Sequence, residues 1–364
     1  MPCPAAGGQR LLHRRADFLR ASAGTSQARA AIVGIAGTAL EPAERRLLAR
    51  NPPAGFILFQ RNCESRSQLL ALTNELRALF PDRWVPILVD QEGGRVQRLG
   101  PPHWPQLWPA RMLGRLAERD RAAGEAAAAL QARAMATILR EVGIDVVCAP
   151  CLDLLMPETT GAIGDRAFAA DPALVAGLGR ITADTLMASG VLPIIKHLPG
   201  HGRATCDSHL ELPRVVAEWA ILDASDWQAF RPLADLPLGM TAHIVFAAID
   251  PDRPATQSPR VIAEVIRGAI GFQGLLLSDD LSMQALSGPI EERASLALAA
   301  GCDLALHCSG DAAEVDAVLR TVSDLEHASM TRLQSLRPGP AAGEALDDLV
   351  TTLAGLLEAE VGRA

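Results

Sequence analysis

The chain has 364 residues, a net charge of −8, 49% hydrophobic residues and 21% charged ones. This is the composition of a folded globular protein and not of a disordered one. The acidic balance excludes a nucleic-acid binder that works by neutralising phosphates, although charge gathered in a cleft still permits a small neutral or anionic ligand.

The first 29 residues read as a flexible leader. Arg10, Arg14 and Arg15 lie there without the continuous apolar segment of a signal peptide. No apolar stretch reaches bilayer-spanning length. The seven cysteines, odd in number and scattered, argue against a disulfide framework. A reduced, soluble, cytoplasmic monomer is therefore expected, with no membrane or nucleic-acid partner.

Beyond the leader, short apolar runs alternate with helix-period segments. The predicted strands are Ala31–Ile35, Gly55–Phe59, Pro86–Asp90, Asp145–Ala149, Val191–Lys196, Met240–Phe246, Gly274–Ser278 and Asp303–His307. Each is nearly continuous in apolar residues, as strands buried on both faces of a parallel sheet are. Helical patterns between them include Ser67–Phe80, Arg121–Val142, Pro172–Ser189, Ser225–Asp235, Pro259–Ile270 and Ile290–Ala300. Asp171-Pro172 and Ser258-Pro259 are helix-entry signals, and Gly190, Gly271 and Gly301 sit where helices should stop. Eight strands in βα alternation predict a single (β/α)₈ TIM barrel over 30–337, with a doubly wound sheet as second choice. Residues 338–364 would add a C-terminal helix packed on the barrel, its amphipathic pattern running from Glu344 to Glu358.

Polar residues gather where these strands end, which in such a barrel is where active sites form. The densest group is Lys196-His197-Leu198-Pro199-Gly200-His201-Gly202, followed by Asp207-Ser208-His209. Lys196 is the only lysine in a chain that otherwise uses arginine, which suggests a need for a compact ammonium. The second group is Ser278-Asp279-Asp280-Leu281-Ser282-Met283. Side chains alternate along a strand, so one carboxylate should face the pocket. Asp280 is assigned to capping the next helix, leaving Asp279 as nucleophile or metal ligand. The third group is Asp90-Gln91-Glu92-Gly93-Gly94-Arg95-Val96-Gln97-Arg98, whose strand-end acid and arginines suit sugar hydroxyls. Arg166, in Gly164-Asp165-Arg166, reads on its own as a solvated loop cation. Cys148 and Cys151 form a lone CxxC, best read as two small buried hydrophobes.

These three groups, in this order, resemble glycoside hydrolase family 3, in particular its short bacterial β-N-acetylglucosaminidases (β-hexosaminidases) of peptidoglycan recycling. Leu198 stands where that branch commonly has Phe. The resemblance implies a retaining enzyme that releases terminal N-acetylglucosamine from β-linked fragments such as GlcNAc-anhydro-muramoyl peptides. It further implies Asp279 as nucleophile, His209 as general acid/base supported by Asp207, and Asp90, Arg98, Arg166, Lys196 and His197 as sugar ligands. No metal and no organic cofactor is expected. A histidine departs from the usual second carboxyl, but it titrates near neutrality and suits both proton transfers. Lys196, Arg98 and Arg166 are expected to keep Asp279 ionised.

Several rivals stand beside this reading. His197, His201, His209, Asp207 and Asp279 are ligand types a metal-dependent hydrolase would use. Lys196 would suit a Schiff-base lyase. A glycoside phosphorylase would exploit an uncharged acid/base that does not repel phosphate, and a non-catalytic sugar sensor could keep the same fold.

Overall fold

The structure, a computed structural model, describes residues 27–157, 159, 161–208, 210–339 and 344–361. Most of the predicted leader lies outside these; Ala28 is buried and Arg29 opens the first strand.

Nine parallel strands form the main sheet: β1 (Arg29–Gly34), β2 (Pro53–Leu58), β3 (Ile87–Val89), β4 (Val146–Val147), β5 (Leu192–Pro193), β6 (Ile195–Leu198), β7 (Leu238–Thr241), β8 (Leu275–Asp280) and β9 (Leu304–His307). Their order is β5-β4-β3-β2-β1-β9-β8-β7-β6. The two ends of that order, β5 and β6, are separated in sequence only by Ile194. One continuous segment thus pairs with β4 on one side and β7 on the other, so the sheet closes on itself. The fold is a (β/α)₈ barrel in which the fifth strand is split.

Alternation along each strand divides the core into two layers. Ile32, Ile57, Leu88, Val146, Ile194, Met240, Leu277 and Leu306 belong to the cluster filling the barrel. Their neighbours Val33, Phe56, Val89, Val147, Ile195, Leu276 and Ala305 join the larger cluster beneath the helices. Trp84, Leu325 and Leu333 extend the interior cluster.

The helix boundaries follow their capping chemistry. Asp171 accepts from Ala173 N–H ahead of Pro172–Ala188, and Asp120 does so from Ala123 ahead of Arg121–Glu141. Gly190, Gly271 and Gly301 all have positive φ, as expected of residues that end a helix. Two expectations need correction. Ser225–Asp235 is not one helix: Trp219–Ala224 is a short α-helix, followed by 3₁₀ turns at Asp226–Ala229 and Arg231–Leu233. Pro232 has no N–H to continue an α-helical ladder. The segment expected to be an α-helix over Pro259–Ile270 is instead π-wound at Val261–Ala269, with Ile270 N–H reaching Val265 O. The helix Leu346–Val361 packs against Arg121–Glu141 and Ala110–Arg119.

Candidate active site

The same alternation delivers the polar residues. The inward series on β8 runs Leu275, Leu277, Asp279; past β3 it runs Leu88, Asp90; across β5 and β6 it runs Leu192, Ile194, Lys196. Each polar member sits one step above the last apolar layer, at the C-terminal ends of the strands. Ile57, Met240 and Leu306 underlie a cavity of about 290 Å³ that Asp90, Arg98, Arg166, Lys196, His197, Asp207 and Asp279 also line.

Charges alternate around this cavity. Arg98 donates to Asp90 at 3.0 Å, and Lys196 donates to the other Asp90 oxygen at 3.0 Å. Lys196 also contacts Glu92 at 2.7 Å. Glu92 receives a two-pronged bond from Arg166 at 2.9 and 2.7 Å, and Arg166 lies 3.4 Å from His197 Nε2. His197 Nδ1 lies 2.6 Å from Asp153. Burial opposes charge on Asp90, yet Lys196 and Arg98 outweigh it and hold that carboxyl well below the usual range. Glu92 is likewise lowered to about 2, against its burial, by Arg166 and Lys196. Burial would also lower the Lys196 ammonium, but Asp90 and Glu92 raise it instead.

Two local devices present the arginines. The hairpin pairing Gln91–Gly93 with Val96–Gln97 turns at Gly93 and Gly94, both of positive φ. Gln91 Oε1 then accepts from the N–H groups of Arg98 and Leu99, folding Arg98 back over Asp90. Arg95 is tied to Asp165 at 2.9 Å and donates to the carbonyls of Ala162 and Ile163, bracing the turn Gly164–Arg166.

Asp279 Oδ1 accepts from Asp280 N–H at 2.8 Å. Burial disfavours its charge, but His197, the Asp280 N–H and Lys196 outweigh burial and keep it below the ordinary carboxylate range. Arg98 and Arg166, expected to share this task, are committed to Asp90 and Glu92. Asp280 does not cap a helix. It accepts from Ser282 N–H (3.0 Å), Ser282 O–H (2.6 Å) and Cys308 N–H (3.1 Å), closing a turn and tying it to the end of β9.

The loop after β6 leaves the barrel through His201 and returns with Asp207 on the cavity wall. Burial and the neighbouring charge of His197 push the His201 imidazole down to about 4. His201 Nε2 lies 3.1 Å from Ser208 Oγ, and Ala285 N–H donates to Ser208 O. His209 falls outside the described residues.

Residues 27–336 match the glycosyl hydrolase family 3 N terminal domain. The chain belongs to this family. It is an enzyme, a glycoside hydrolase, and its curated relatives are β-hexosaminidases. That of Alkalilimnicola ehrlichii is 42% identical over 315 residues, spanning 85% of this chain and 88% of the relative. That of Bordetella pertussis is 39% identical over 318 residues, spanning 85% and 88%. Among solved structures, NagZ from Neisseria gonorrhoeae in complex with N-trifluoroacetyl-D-glucosamine superposes with a TM-score of 0.81. It is 32% identical, with 91% of this chain and 98% of that chain covered.

Two residues of this family 3 site escaped the sequence reading. Glu92 stands inside the Asp90–Arg98 segment, whose reading rests on Asp90 and the arginines; its place between Lys196 and Arg166 is a tertiary fact. Asp153, fully buried, lies just past β4 and accepts from His197 N–H (3.3 Å), His201 N–H (2.6 Å) and the Cys151 thiol (3.2 Å), besides its contact with His197 Nδ1. A strand-end acid two residues past Cys151 is the one signal the sequence carries for it. Cys151, Asp153 and His197 bring potential ligand atoms within 4.8 Å of one another. Those atoms already satisfy one another, because Asp153 Oδ2 faces both the thiol and the imidazole.

Proposed function

We propose that this enzyme is a retaining β-N-acetylhexosaminidase that removes terminal non-reducing N-acetylglucosamine from small β-linked peptidoglycan fragments of the GlcNAc-anhydro-muramoyl peptide type. The observation that carries the reading is Asp279, a half-buried carboxylate held ionised at the end of β8, on a cavity that Asp90, Arg98, Arg166, Lys196 and His197 also line. Asp90, Arg98, Arg166, Lys196 and His197 fix the sugar hydroxyls, and some of these bonds strengthen as charge develops.

In the first step an Asp279 oxygen bonds to the anomeric carbon while the bond from that carbon to the leaving oxygen breaks. His209, oriented by Asp207, gives the leaving oxygen its proton. Water then attacks the same carbon, His209 takes the water's proton, and Asp279 departs as carboxylate. Two displacements retain the configuration. No metal or organic cofactor enters either step. The catalytic unit is the barrel, which begins with the strand Arg29–Gly34, and the helix Leu346–Val361 packs on its outside. We place the enzyme in the cytoplasm as a monomer; no helix among the described residues is long and apolar enough to cross a membrane.

The test is hydrolysis of an aryl N-acetyl-β-glucosaminide by the wild type and by Asp279→Ala, both in EDTA. Robust wild-type turnover with the variant near background supports the proposal. An inactive wild type, or an active variant, overturns it. Product formed in phosphate and in phosphate-free buffer then separates hydrolysis from phosphorolysis.

A further inference from the structure

Behind Asp279 lies a buried polar chain that contributes no atom to the cavity wall. Asp279 N–H donates to Thr241 Oγ1 at 3.3 Å. Thr241 and Thr256 share a hydroxyl–hydroxyl bond of 2.7 Å, and Thr256 Oγ1 lies 2.7 Å from His243 Nδ1. His243 Nε2 lies 2.9 Å from the Asp280 carbonyl oxygen. Thr241, His243 and Thr256 are all completely buried.

With His243 neutral, one assignment of protons satisfies these four links. The Ala242 carbonyl oxygen, 3.1 Å from Thr256 Oγ1, is a second acceptor for the single Thr256 hydrogen. A carbonyl only accepts, so His243 Nε2 carries the hydrogen and Nδ1 is the acceptor. Thr256 therefore donates to Nδ1, and its oxygen accepts from Thr241, whose own oxygen accepts from Asp279 N–H. The chain leaves the site at the N–H of Asp279 and returns at the carbonyl of Asp280. It holds both ends of the dipeptide that carries the Asp279 carboxylate. Buried hydroxyls and an imidazole gathered this way cost stability unless all are paired, and here all are.

We propose that Thr256, acting through Thr241 and His243, is a positioning residue that aims the Asp279 carboxylate at the anomeric carbon. This rests on the reading of Asp279 as nucleophile. Thr256→Val keeps the branched shape, removes the hydroxyl, and opens the chain at its centre.

The experiment compares wild type, Thr256→Val, Thr256→Ser, Thr241→Val and Asp279→Ala on an aryl N-acetyl-β-glucosaminide, with inhibition by free N-acetylglucosamine as the measure of sugar binding. The expected result is a kcat lower by about 10- to 100-fold in Thr256→Val, the scale of a misaligned reacting group. Inhibition by N-acetylglucosamine should be unchanged, and Thr256→Ser should restore most of the rate. A wild-type kcat in Thr256→Val overturns the proposal, as does a loss of turnover and binding together that Ser does not repair. Should Thr256→Val fail to fold, Thr241→Val, which cuts the chain next to Asp279, is judged by the same two results. Activity retained in Asp279→Ala overturns the nucleophile assignment itself. An inactive Asp279→Ala beside an unaffected Thr256→Val overturns only the clamp.

Discussion

The ammonium of Lys196 lies 3.0 Å from the carboxylate of Asp90 across the mouth of the barrel, joining the end of the split fifth strand to the end of β3. With Glu92 at 2.7 Å it stands between two carboxylates, and all three side chains are largely shielded from water.

Lys196→Met is expected to leave Asp90 and Glu92 as like charges with one partner fewer. Removing one member of a buried pair costs about 3–5 kcal/mol. The melting temperature should fall, and turnover of an aryl N-acetyl-β-glucosaminide should drop to near background. Lys196→Arg should rescue neither quantity, because a planar fork does not fit a site shaped for a compact ammonium. A fully active Arg variant would contradict this account of the residue.

Asp153→Asn exchanges one carboxylate oxygen for an NH₂ group. If the amide oxygen stays with the backbone N–H groups of His197 and His201, its NH₂ faces His197 Nδ1. The imidazole must then carry its hydrogen on Nε2, opposite the Arg166 guanidinium 3.4 Å away, so donor meets donor. Holding a catalytic imidazole in the wrong tautomer costs up to about 10⁴-fold in kcat where the role is direct. For the proposed sugar-binding role of this ring, a KM increase and weaker inhibition by N-acetylglucosamine are the expected signs. Steady-state kinetics with the melting curve unchanged would confirm a local cause.

The lowered Glu92 carboxyl also predicts acid sensitivity. Its folded value is about 2 against an ordinary 4.5. A depressed carboxylate contributes stability that is complete above the unfolded value and is lost as pH falls toward the folded one. Urea midpoints should therefore decline between about pH 4.5 and 2. The decline should be shallower in Glu92→Gln, which has no such proton to take up. Parallel curves for the two proteins would show that Glu92 does not contribute.

Gly114→Ala is expected to destabilise, although helix propensity alone favours alanine. A Cβ at Gly114 would lie 1.8 Å from the carbonyl oxygen of Phe168. Phe168 follows Arg166 by two residues, so the displaced backbone should also disturb the arginine. A loss of about 1–3 kcal/mol by chemical denaturation, together with a higher KM, is the outcome that checks both statements.

The barrel was legible because apolar runs buried on both faces leave few other places for a parallel sheet to go. Asp90, Lys196 and Asp279 were legible because each ends such a run in the inward register. What stayed hidden depended on contacts distant in sequence. Nothing local to Asp153 announces a bond to an imidazole 44 positions away, and nothing around Glu92 announces Arg166, 74 positions on. The same holds for the chain from Thr241 to Asp280: its threonines look like ordinary strand and turn residues until the barrel closes. The false helix at Ser225–Asp235 has a local explanation, since its apolar spacing is helical while Pro232 breaks the ladder.

The solitary lysine has a practical consequence. Lys196 is 2% exposed, and its ammonium is held protonated by two carboxylates. An amine-acylating reagent should therefore find only the α-amino group of the folded chain. Acylation at Lys196 becomes a clock for opening of the cavity it lines: slow in the native enzyme, slower with a ligand bound, and fast once the mouth of the barrel comes apart. One mass shift on one peptide would report on the integrity of the binding site without any substrate being turned over.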